Sequence, residues 1–396
     1  MSLLLKQILL IFVLVLFINT GCKGAPIRAS ADVCSKPKAD SFWQSSDPKD
    51  SGFDSEKLCK ILRKSASEKG GLHSLLIERH GKIVSEIYND GDDKPLNLRY
   101  GLRLPFDGTS TFDSQTLHDV RSVTKSIVSL LFGIAIEKGL IEGVDSSVLS
   151  SFPEIEIPEN DTRRKITWKH LLTMSSGLDW EEWRSGFFFS DETRLYWKKN
   201  LVEFVFDREV SDVPGSVFNY NGGGTSVLAE VLTKKTGKSL KELAGEWILY
   251  PIGIEKFEWV EDWHGRGLAF AGLRLKPRDM LRIGRLILNE GVWNKKQIVP
   301  KKWIQDSLGS EIATNVSFFR KDGSVMNYGY QWWIGETRLT EKNVSWKAAL
   351  GNGGQLIYVI PELDMVVATT AGEYGSPKII FEIGNLLDEI IVSANR

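Results

Sequence analysis

Cysteine and histidine are both scarce in this chain of 396 residues, which has three cysteines and five histidines. The histidines are scattered and no His-Glu-x-x-His motif occurs, so a zinc enzyme is not expected. An excess of charge of either sign is also missing, because 50 Lys and Arg residues balance 51 Asp and Glu residues to a formal net charge of -1. This balance gives no electrostatic reason to expect nucleic acid as a partner.

Familiar catalytic and nucleotide-binding motifs are absent as well. There is no Gly-x-Ser-x-Gly elbow, which counts against the α/β-hydrolase fold. Neither Gly-x-Gly-x-x-Gly nor a P-loop is present, and the sequence implies no cofactor and no metal. The remaining composition is that of an ordinary globular protein, with 42% hydrophobic and 26% charged residues.

The N-terminus carries an apolar run from Ile8 to Ile18, which has the length of a signal-peptide core and is too short to span a bilayer. Small residues then precede Cys22, as in a bacterial lipoprotein signal, although Asn19 stands where that motif usually has a branched aliphatic residue. We therefore expect residues 1–22 to be a lipoprotein-type signal peptide. The protein would be exported to the bacterial cell envelope and anchored to the membrane through lipid on Cys22, with a plain cleaved signal peptide as the alternative.

The two other cysteines, Cys34 and Cys59, could form a disulfide in an oxidising compartment, and free buried cysteines are the alternative. Residues 23–50 mix Ala, Ser, Pro, Lys and Asp with little periodicity, which predicts a tether. We expect residues 51–396 to form the functional domain.

Hydrophobic periodicity in residues 51–396 predicts an α+β fold. An antiparallel sheet built from both ends of the chain would be flanked by helices, and residues from about 145 to 265 would form a mainly helical subdomain. The helices are predicted at 54–69, 122–138, 168–174, 225–236, 278–288 and 379–392. The strands are predicted at 74–77, 82–88, 328–334, 345–350, 355–360 and 365–370.

Ser122-x-x-Lys125 opens one of the predicted helices. Because residues three apart share a helix face, the Lys125 amine can reach the Ser122 hydroxyl. A serine needs a base to become a nucleophile, and a desolvated lysine loses its proton more readily. The same spacing recurs at 35/38 and 46/49 in the predicted tether, where we interpret it as chance. A helix start with a solvated lysine is the alternative interpretation at Ser122.

Two glycine-rich segments follow. The first, Pro214–Gly224, precedes a helix and has Tyr220 at its edge, where a proton carrier could stand. The second, Gly351–Gln355, leads into an apolar strand, and glycines at a strand start let a ligand lie against the sheet edge. Taken alone, each segment is more simply explained by packing or by a tight turn.

In this order and spacing, the three segments resemble the serine β-lactamase and penicillin-binding-protein superfamily, which has the β-lactamase/transpeptidase fold. The closest resemblance is to the class C β-lactamase-related branch, which includes esterases, D-aminopeptidases and aminohexanoate-oligomer hydrolases. Further segments carry the likeness, which extends from about residue 50 to the C-terminus: Thr167–Leu178, Pro251–Ile254, Gly272–Asp279 and Tyr328–Trp333.

The resemblance implies a role for each motif residue. Ser122 would be the acylated nucleophile, and either Lys125 or Tyr220 would be its base, with Tyr220 sharing or relaying the proton. The third motif, which stands where the family has Lys-Thr-Gly or His-x-Gly, consists of Asn352, Gly353 and Gly354. The N–H groups of Ser122 and Gln355 would form the oxyanion hole.

Two residues depart from the family pattern. The family's Tyr-x-Asn is here Tyr220-Asn221-Gly222, so the amide that would contact the substrate is missing from its usual place. The cationic or imidazole residue of the third motif, which helps to bind a substrate carboxylate, is the neutral Asn352. Both departures argue against an efficient β-lactamase or carboxypeptidase.

We therefore expect a serine hydrolase that transfers an acyl group from a small-molecule ester or amide to water. The alternative is a catalytically weak or silent lipoprotein that uses this fold to bind peptidoglycan fragments or a partner. The intact Ser122, Lys125 and Tyr220 favour the enzyme, because a binding protein has no need of that chemistry.

Overall fold

The described part of the chain comprises residues 32–67, 71–93, 96, 109–182, 190–309, 311–317, 323–339 and 342–394 of a computed structural model. The predicted signal peptide and the predicted lipidation site Cys22 lie outside it. Among the residues it does include, no helix is both long and apolar enough to cross a membrane.

Within the described residues, the strands fall into one large sheet and three small ones. In chain order they are β1 (Gln44–Ser45), β2 (Leu72–Arg79), β3 (Lys82–Tyr88), β4 (Asp90–Asp92), β5 (Thr109–Thr111), β6 (His118–Asp119), β7 (Glu258–Trp259), β8 (Leu273–Leu275), β9 (Val292–Trp293), β10 (Lys296–Gln297), β11 (Ile312–Ala313), β12 (Asn327–Tyr328), β13 (Trp333–Arg338), β14 (Asn343–Gly351), β15 (Gln355–Ile360) and β16 (Met365–Ala371).

The large sheet has nine strands in the order β1-β3-β2-β16-β15-β14-β13-β12-β11. The pair β1 and β3 is parallel, and every other neighbouring pair in this sheet is antiparallel. Strand β16 from the C-terminal part lies beside β2 from the N-terminal part. The sheet therefore joins the two ends of the domain, as the sequence predicted.

In the described part of the chain, one α-helix lies between β1 and β2, eight lie between β6 and β11, and one follows β16. They are α1 (Ser55–Ser67), α2 (Val123–Glu137), α3 (Trp168–Leu172), α4 (Asp191–Arg194), α5 (Leu201–Phe206), α6 (Gly222–Thr236), α7 (Leu240–Ala244), α8 (Pro277–Leu288), α9 (Lys301–Ser307) and α10 (Pro377–Ser393). Single turns of 3₁₀ or π helix occur at Lys49–Ser51, Val148–Ser151, Thr162–Lys165, Gly245–Leu249 and Pro361–Leu363.

Alternating side chains of the sheet enter two different cores. Leu75 in β2 joins the core that α1 and α10 form on one face, whereas its neighbour Leu76 joins the core on the other face. The second core contains the apolar sides of α2, α6 and α8, including Ile127 and Ile283. The layers are therefore a helix pair, the sheet and a larger helical region, which confirms the predicted α+β class.

The domain begins before residue 51. Gln44 and Ser45 pair with β3, and Trp43 is buried in the second core, so part of the predicted tether belongs to the fold. Cys34 forms a disulfide with Cys59 in α1, at a Cα–Cα distance of 5.1 Å. The segment was predicted as a tether because a two-residue edge strand has too little periodicity to detect.

Most predicted elements are present with ends shifted by no more than three residues, but the strand predicted at 328–334 is broken. β12 ends at Tyr328 and β13 begins at Trp333, and between them Gln331 has a positive φ of 65°. Gly329 N–H donates to the Trp332 carbonyl at 2.8 Å, which closes the turn. Residues 328–334 are all buried, so the sequence pattern shows no break at this turn.

The buried Gln331 connects three helices through its side chain and its backbone carbonyl. Its Nε2 donates to the Leu171 and Leu172 carbonyls of α3, both at 3.0 Å. The Thr225 hydroxyl of α6 donates to Gln331 Oε1 at 2.9 Å, and the Ser126 hydroxyl of α2 donates to the Gln331 backbone carbonyl at 2.6 Å. Gln331 therefore fixes α2 and α6 relative to each other.

The substitution Gln331→Ala is expected to lower the free energy of unfolding by about 3 kcal/mol, because it leaves several buried polar groups without their partner. Urea denaturation measures the change. Gln305→Ala is the matched control: Gln305 donates to Glu290 at the surface, and its loss should cost less than about 0.5 kcal/mol. Equal losses in the two variants would contradict this account.

Candidate active site

The start of α2 is held by a small sheet beside it. Val120 N–H donates to the Leu273 carbonyl of β8 at 3.0 Å, and Leu273 N–H donates to the Thr124 hydroxyl at 3.1 Å. Between them, Arg121 has a φ of 50°, a left-handed conformation that is uncommon for residues other than glycine and is often found at functional sites. This backbone places Ser122 at the N-cap of α2.

Lys125 lies one helical turn after Ser122, as the spacing predicted. Its Nζ donates to Ser122 Oγ at 3.1 Å and to the Phe270 carbonyl oxygen at 3.1 Å. The side chain is only 1% exposed. A solvated lysine, the alternative interpretation of this motif, is therefore wrong.

Tyr220 joins the same cluster. The Lys125 ammonium lies 4.8 Å from the centre of the Tyr220 ring, and the Tyr220 hydroxyl hydrogen-bonds with both Ser122 and Lys125. The ring stacks on Trp333 with centroids 5.9 Å apart. Burial raises the pKa of Tyr220, Lys125 opposes this rise, and Glu182 adds to it.

Two carboxyl groups that the sequence analysis did not identify also face Lys125. Glu182 Oε1 lies 3.9 Å and Glu192 Oε2 lies 3.7 Å from Lys125 Nζ. Glu182 is 2% exposed and accepts hydrogen bonds at its other oxygen from Trp180 Nε1 at 2.6 Å and Gly222 N–H at 3.0 Å. No local pattern marks these two among 51 acidic residues, so only the fold reveals them.

The charges around Lys125 determine its protonation. Burial alone lowers the pKa of Lys125, but Tyr220, Glu192 and Glu182 outweigh it, so the pKa is raised. From the sequence, desolvation was expected to make Lys125 lose its proton more readily. The two carboxyl groups, which the sequence did not reveal, help to reverse that effect. Burial and the adjacent Glu192 also raise the pKa of Glu182 well above its usual value, although Lys125 opposes them.

The third motif forms the turn between β14 and β15. Gly353 and Gly354 have φ values of 87° and 98°, which explains the glycines at these positions. The Asn352 side-chain oxygen accepts a hydrogen bond from Gly375 N–H at 2.7 Å and so ties the turn to the loop before α10. The buried Gln355 side chain contacts Ala371, and the role of its N–H group in an oxyanion hole stays a prediction.

A pocket of about 480 Å³ opens beside Ser122. Most of its lining side chains are apolar: Phe218, Val316, Trp333, Leu350, Pro377 and Ile380. Tyr220, Gly351, Asn352, Gly375 and Ser376 complete it. Of the predicted site residues, the pocket thus brings together Ser122, Tyr220 and Asn352.

The departures at Asn221 and Gly222 have a structural explanation. The Asn221 side-chain oxygen caps α6 by accepting from Gly224 N–H at 2.8 Å, and Asn221 does not line the pocket. A Cβ atom at Gly222 would lie 3.1 Å from Glu192 Oε2 and 3.4 Å from Glu182 Oε1. The two carboxyl groups therefore occupy the space beside the position where the family has asparagine.

Comparison with known proteins matches residues 87–378 to the Beta-lactamase family. A 6-aminohexanoate-dimer hydrolase of Paenarthrobacter ureafaciens is 28% identical over 153 residues, a match that spans 38% of this chain and 38% of that relative. The aligned part is thus well under two thirds of that relative's length.

Solved structures share the fold. A Bacillus anthracis protein provisionally assigned as a 6-aminohexanoate-dimer hydrolase has a TM-score of 0.64 and 21% identity, covering 92% of this chain and 91% of that one. A family VIII carboxylesterase has a TM-score of 0.61 and 17% identity, covering 85% of this chain and 97% of that one. The family match spans most of the domain, and the predicted resemblance is confirmed: the chain belongs to the Beta-lactamase family.

Proposed function

We propose that the protein is a serine hydrolase that forms an acyl-enzyme on Ser122 and acts on uncharged esters with an apolar acyl group, or on small amides of the same kind. The observation that carries this proposal is the Lys125 amine 3.1 Å from Ser122 Oγ, at the edge of a mainly apolar pocket. A nucleophile next to a buried basic group is the arrangement that covalent catalysis requires.

The reactive form of the enzyme is the one in which the unit formed by Lys125 and Tyr220 has lost one proton, so that it can accept another. In the proposed reaction, Ser122 Oγ attacks the ester carbonyl carbon while its proton passes to this unit. The tetrahedral intermediate collapses, and the same unit returns the proton to the departing alcohol. A water molecule then attacks the acyl-enzyme, giving its proton to the unit. Ser122 Oγ regains that proton as the carboxylic acid leaves, so the cycle is closed.

Two features of the site support an uncharged substrate. The pocket offers apolar contacts to an acyl chain, and each buried methylene contributes about 0.8 kcal/mol. Asn352 stands where a cation would bind a substrate carboxylate, and its side-chain oxygen already accepts from Gly375. Among the pocket residues that the structure describes, none carries a positive charge.

Export and lipid anchoring through Cys22 remain part of this proposal and are supported by the sequence of the first 22 residues. The Cys34–Cys59 disulfide is consistent with an oxidising compartment. The catalytically silent binding protein is the competing proposal, and the kinetic experiments below distinguish the two.

The substitution Tyr220→Phe is expected to slow the reaction of Ser122 with a fluorophosphonate by about 10²- to 10⁴-fold, because it removes the hydroxyl that carries the proton. Intact-mass spectrometry over time measures the rate. Tyr330→Phe, a change of a buried tyrosine outside the pocket, is the control and should react like the wild type. An unchanged rate in Tyr220→Phe would exclude the proton relay.

A series of p-nitrophenyl esters tests the substrate class. From acetate to hexanoate, kcat/KM is expected to rise by about fourfold for each methylene that the pocket buries. Ile380→Ser should flatten this slope, whereas Val392→Ser, a change of an exposed residue on the same helix, should leave it unchanged. A flat series in the wild type, or penicillin hydrolysis as fast as ester hydrolysis, would contradict the proposal.

A further inference from the structure

The carboxyl pair Glu182 and Glu192 has no part in the reaction scheme above, yet it lies against the residue on which that scheme depends. Glu182 is buried, and its carboxyl is held in place from one side by Trp180 Nε1 and Gly222 N–H. Its second oxygen, Oε1, is directed towards Lys125 Nζ at 3.9 Å. Glu192 approaches the same amine at 3.7 Å from α4.

The buried Glu182 needs compensation, because desolvating a carboxylate is costly unless a partner of opposite charge is close. The Lys125 ammonium supplies that partner, and the pair in turn offsets the cost of burying the ammonium. Lys125 Nζ already donates to Ser122 Oγ and to the Phe270 carbonyl. The carboxyl groups therefore complete the environment of the amine.

The glycine at position 222 makes room for this arrangement. Its N–H donates to Glu182, and an added Cβ would lie within 3.4 Å of both acidic side chains. The glycine in place of the family's asparagine and the acidic pair therefore belong together, because the glycine leaves free the space beside the carboxyl groups. An asparagine here would compete for the space that the carboxyl groups occupy.

We propose that Glu182, supported by Glu192, is a positioning residue that holds the Lys125 ammonium beside Ser122 and sets the pH at which this amine loses its proton. The inference deepens the proposed function and depends on it only for its kinetic test. Among the described residues, the titratable groups that act on Lys125 are Tyr220, Glu182 and Glu192, and the buried Tyr328 interacts electrostatically with Tyr220 and Glu182.

The sign of the effect follows from the charges. The acidic pair places negative charge within about 4 Å of Lys125 Nζ, and both carboxyl groups raise the pKa of this amine. Removing Glu182 therefore favours the neutral amine and lowers the pKa of Lys125. Whether the reaction needs the ammonium or the neutral amine of Lys125, loss of Glu182 moves the limb of the pH–rate profile that reports this residue to lower pH. A purely structural role for Glu182 would reduce the rate without moving the limb.

The direct test measures the pKa of Lys125 in the intact protein by NMR with ¹³Cε-labelled lysine. The Lys125 signal is assigned by its absence in Lys125→Arg. We expect Glu182→Gln to lower the pKa by about 1 to 3 units and Glu181→Gln, the adjacent control, to leave it unchanged. An unchanged pKa in Glu182→Gln would overturn the inference.

The rate of fluorophosphonate labelling of Ser122 as a function of pH provides the kinetic test. Its limb should move to lower pH in Glu182→Gln and not in Glu181→Gln; a lower rate with an unmoved limb would contradict the positioning role. If the wild type is not labelled at all, the proposed hydrolase function fails, while the NMR measurement still decides this inference.

Two further variants keep the test decisive if Glu182→Gln does not fold. Glu192 is 30% exposed, so Glu192→Gln is expected to be tolerated and to lower the pKa of Lys125 by a smaller amount. Gly222→Asn should displace the carboxyl groups and so also lower the pKa of Lys125. If neither variant changed the pKa of Lys125, the inference would be overturned.

Discussion

The contact between the Lys125 amine and the Ser122 hydroxyl is the interaction on which the rest of the site depends. It places an ammonium in a nearly water-free position, where it is stable only if other groups replace the lost hydration. The Phe270 carbonyl, the Tyr220 hydroxyl and two carboxyl groups provide that replacement. Each comes from a different segment of the chain, so the geometry at Ser122 requires the whole domain to be folded.

The fold meets this requirement by fixing a few backbone positions firmly. The nine-stranded sheet joins both ends of the domain, and a small sheet beside it holds the start of α2 through Val120 and Leu273. Gln331 connects α2, α3 and α6 through buried hydrogen bonds. Departures from the family pattern are compensated locally: a glycine at 222 accommodates the acidic pair, and Asn352 ties a turn to the loop before α10.

The sequence predicted the parts of the site that depend on local spacing. Ser122 and Lys125 lie three residues apart on a helix, and Tyr220 precedes a glycine turn at a helix start, so both features could be recognised in the chain itself. Glu182 and Glu192 could not, because their significance comes from folding against Lys125, far away in sequence. The turn at Gln331 and the edge strand at Gln44 were missed because burial or shortness removed the periodicity that marks such features.

The central claim is that Ser122 becomes acylated during turnover. Rapid acid quenching of the wild type mixed with excess p-nitrophenyl hexanoate, followed by intact-mass analysis and peptide mapping, tests it most directly. The account predicts one added hexanoyl group, located on Ser122 and absent from Ser122→Ala. Ester hydrolysis that proceeds without an adduct, or that persists in Ser122→Ala, would contradict it.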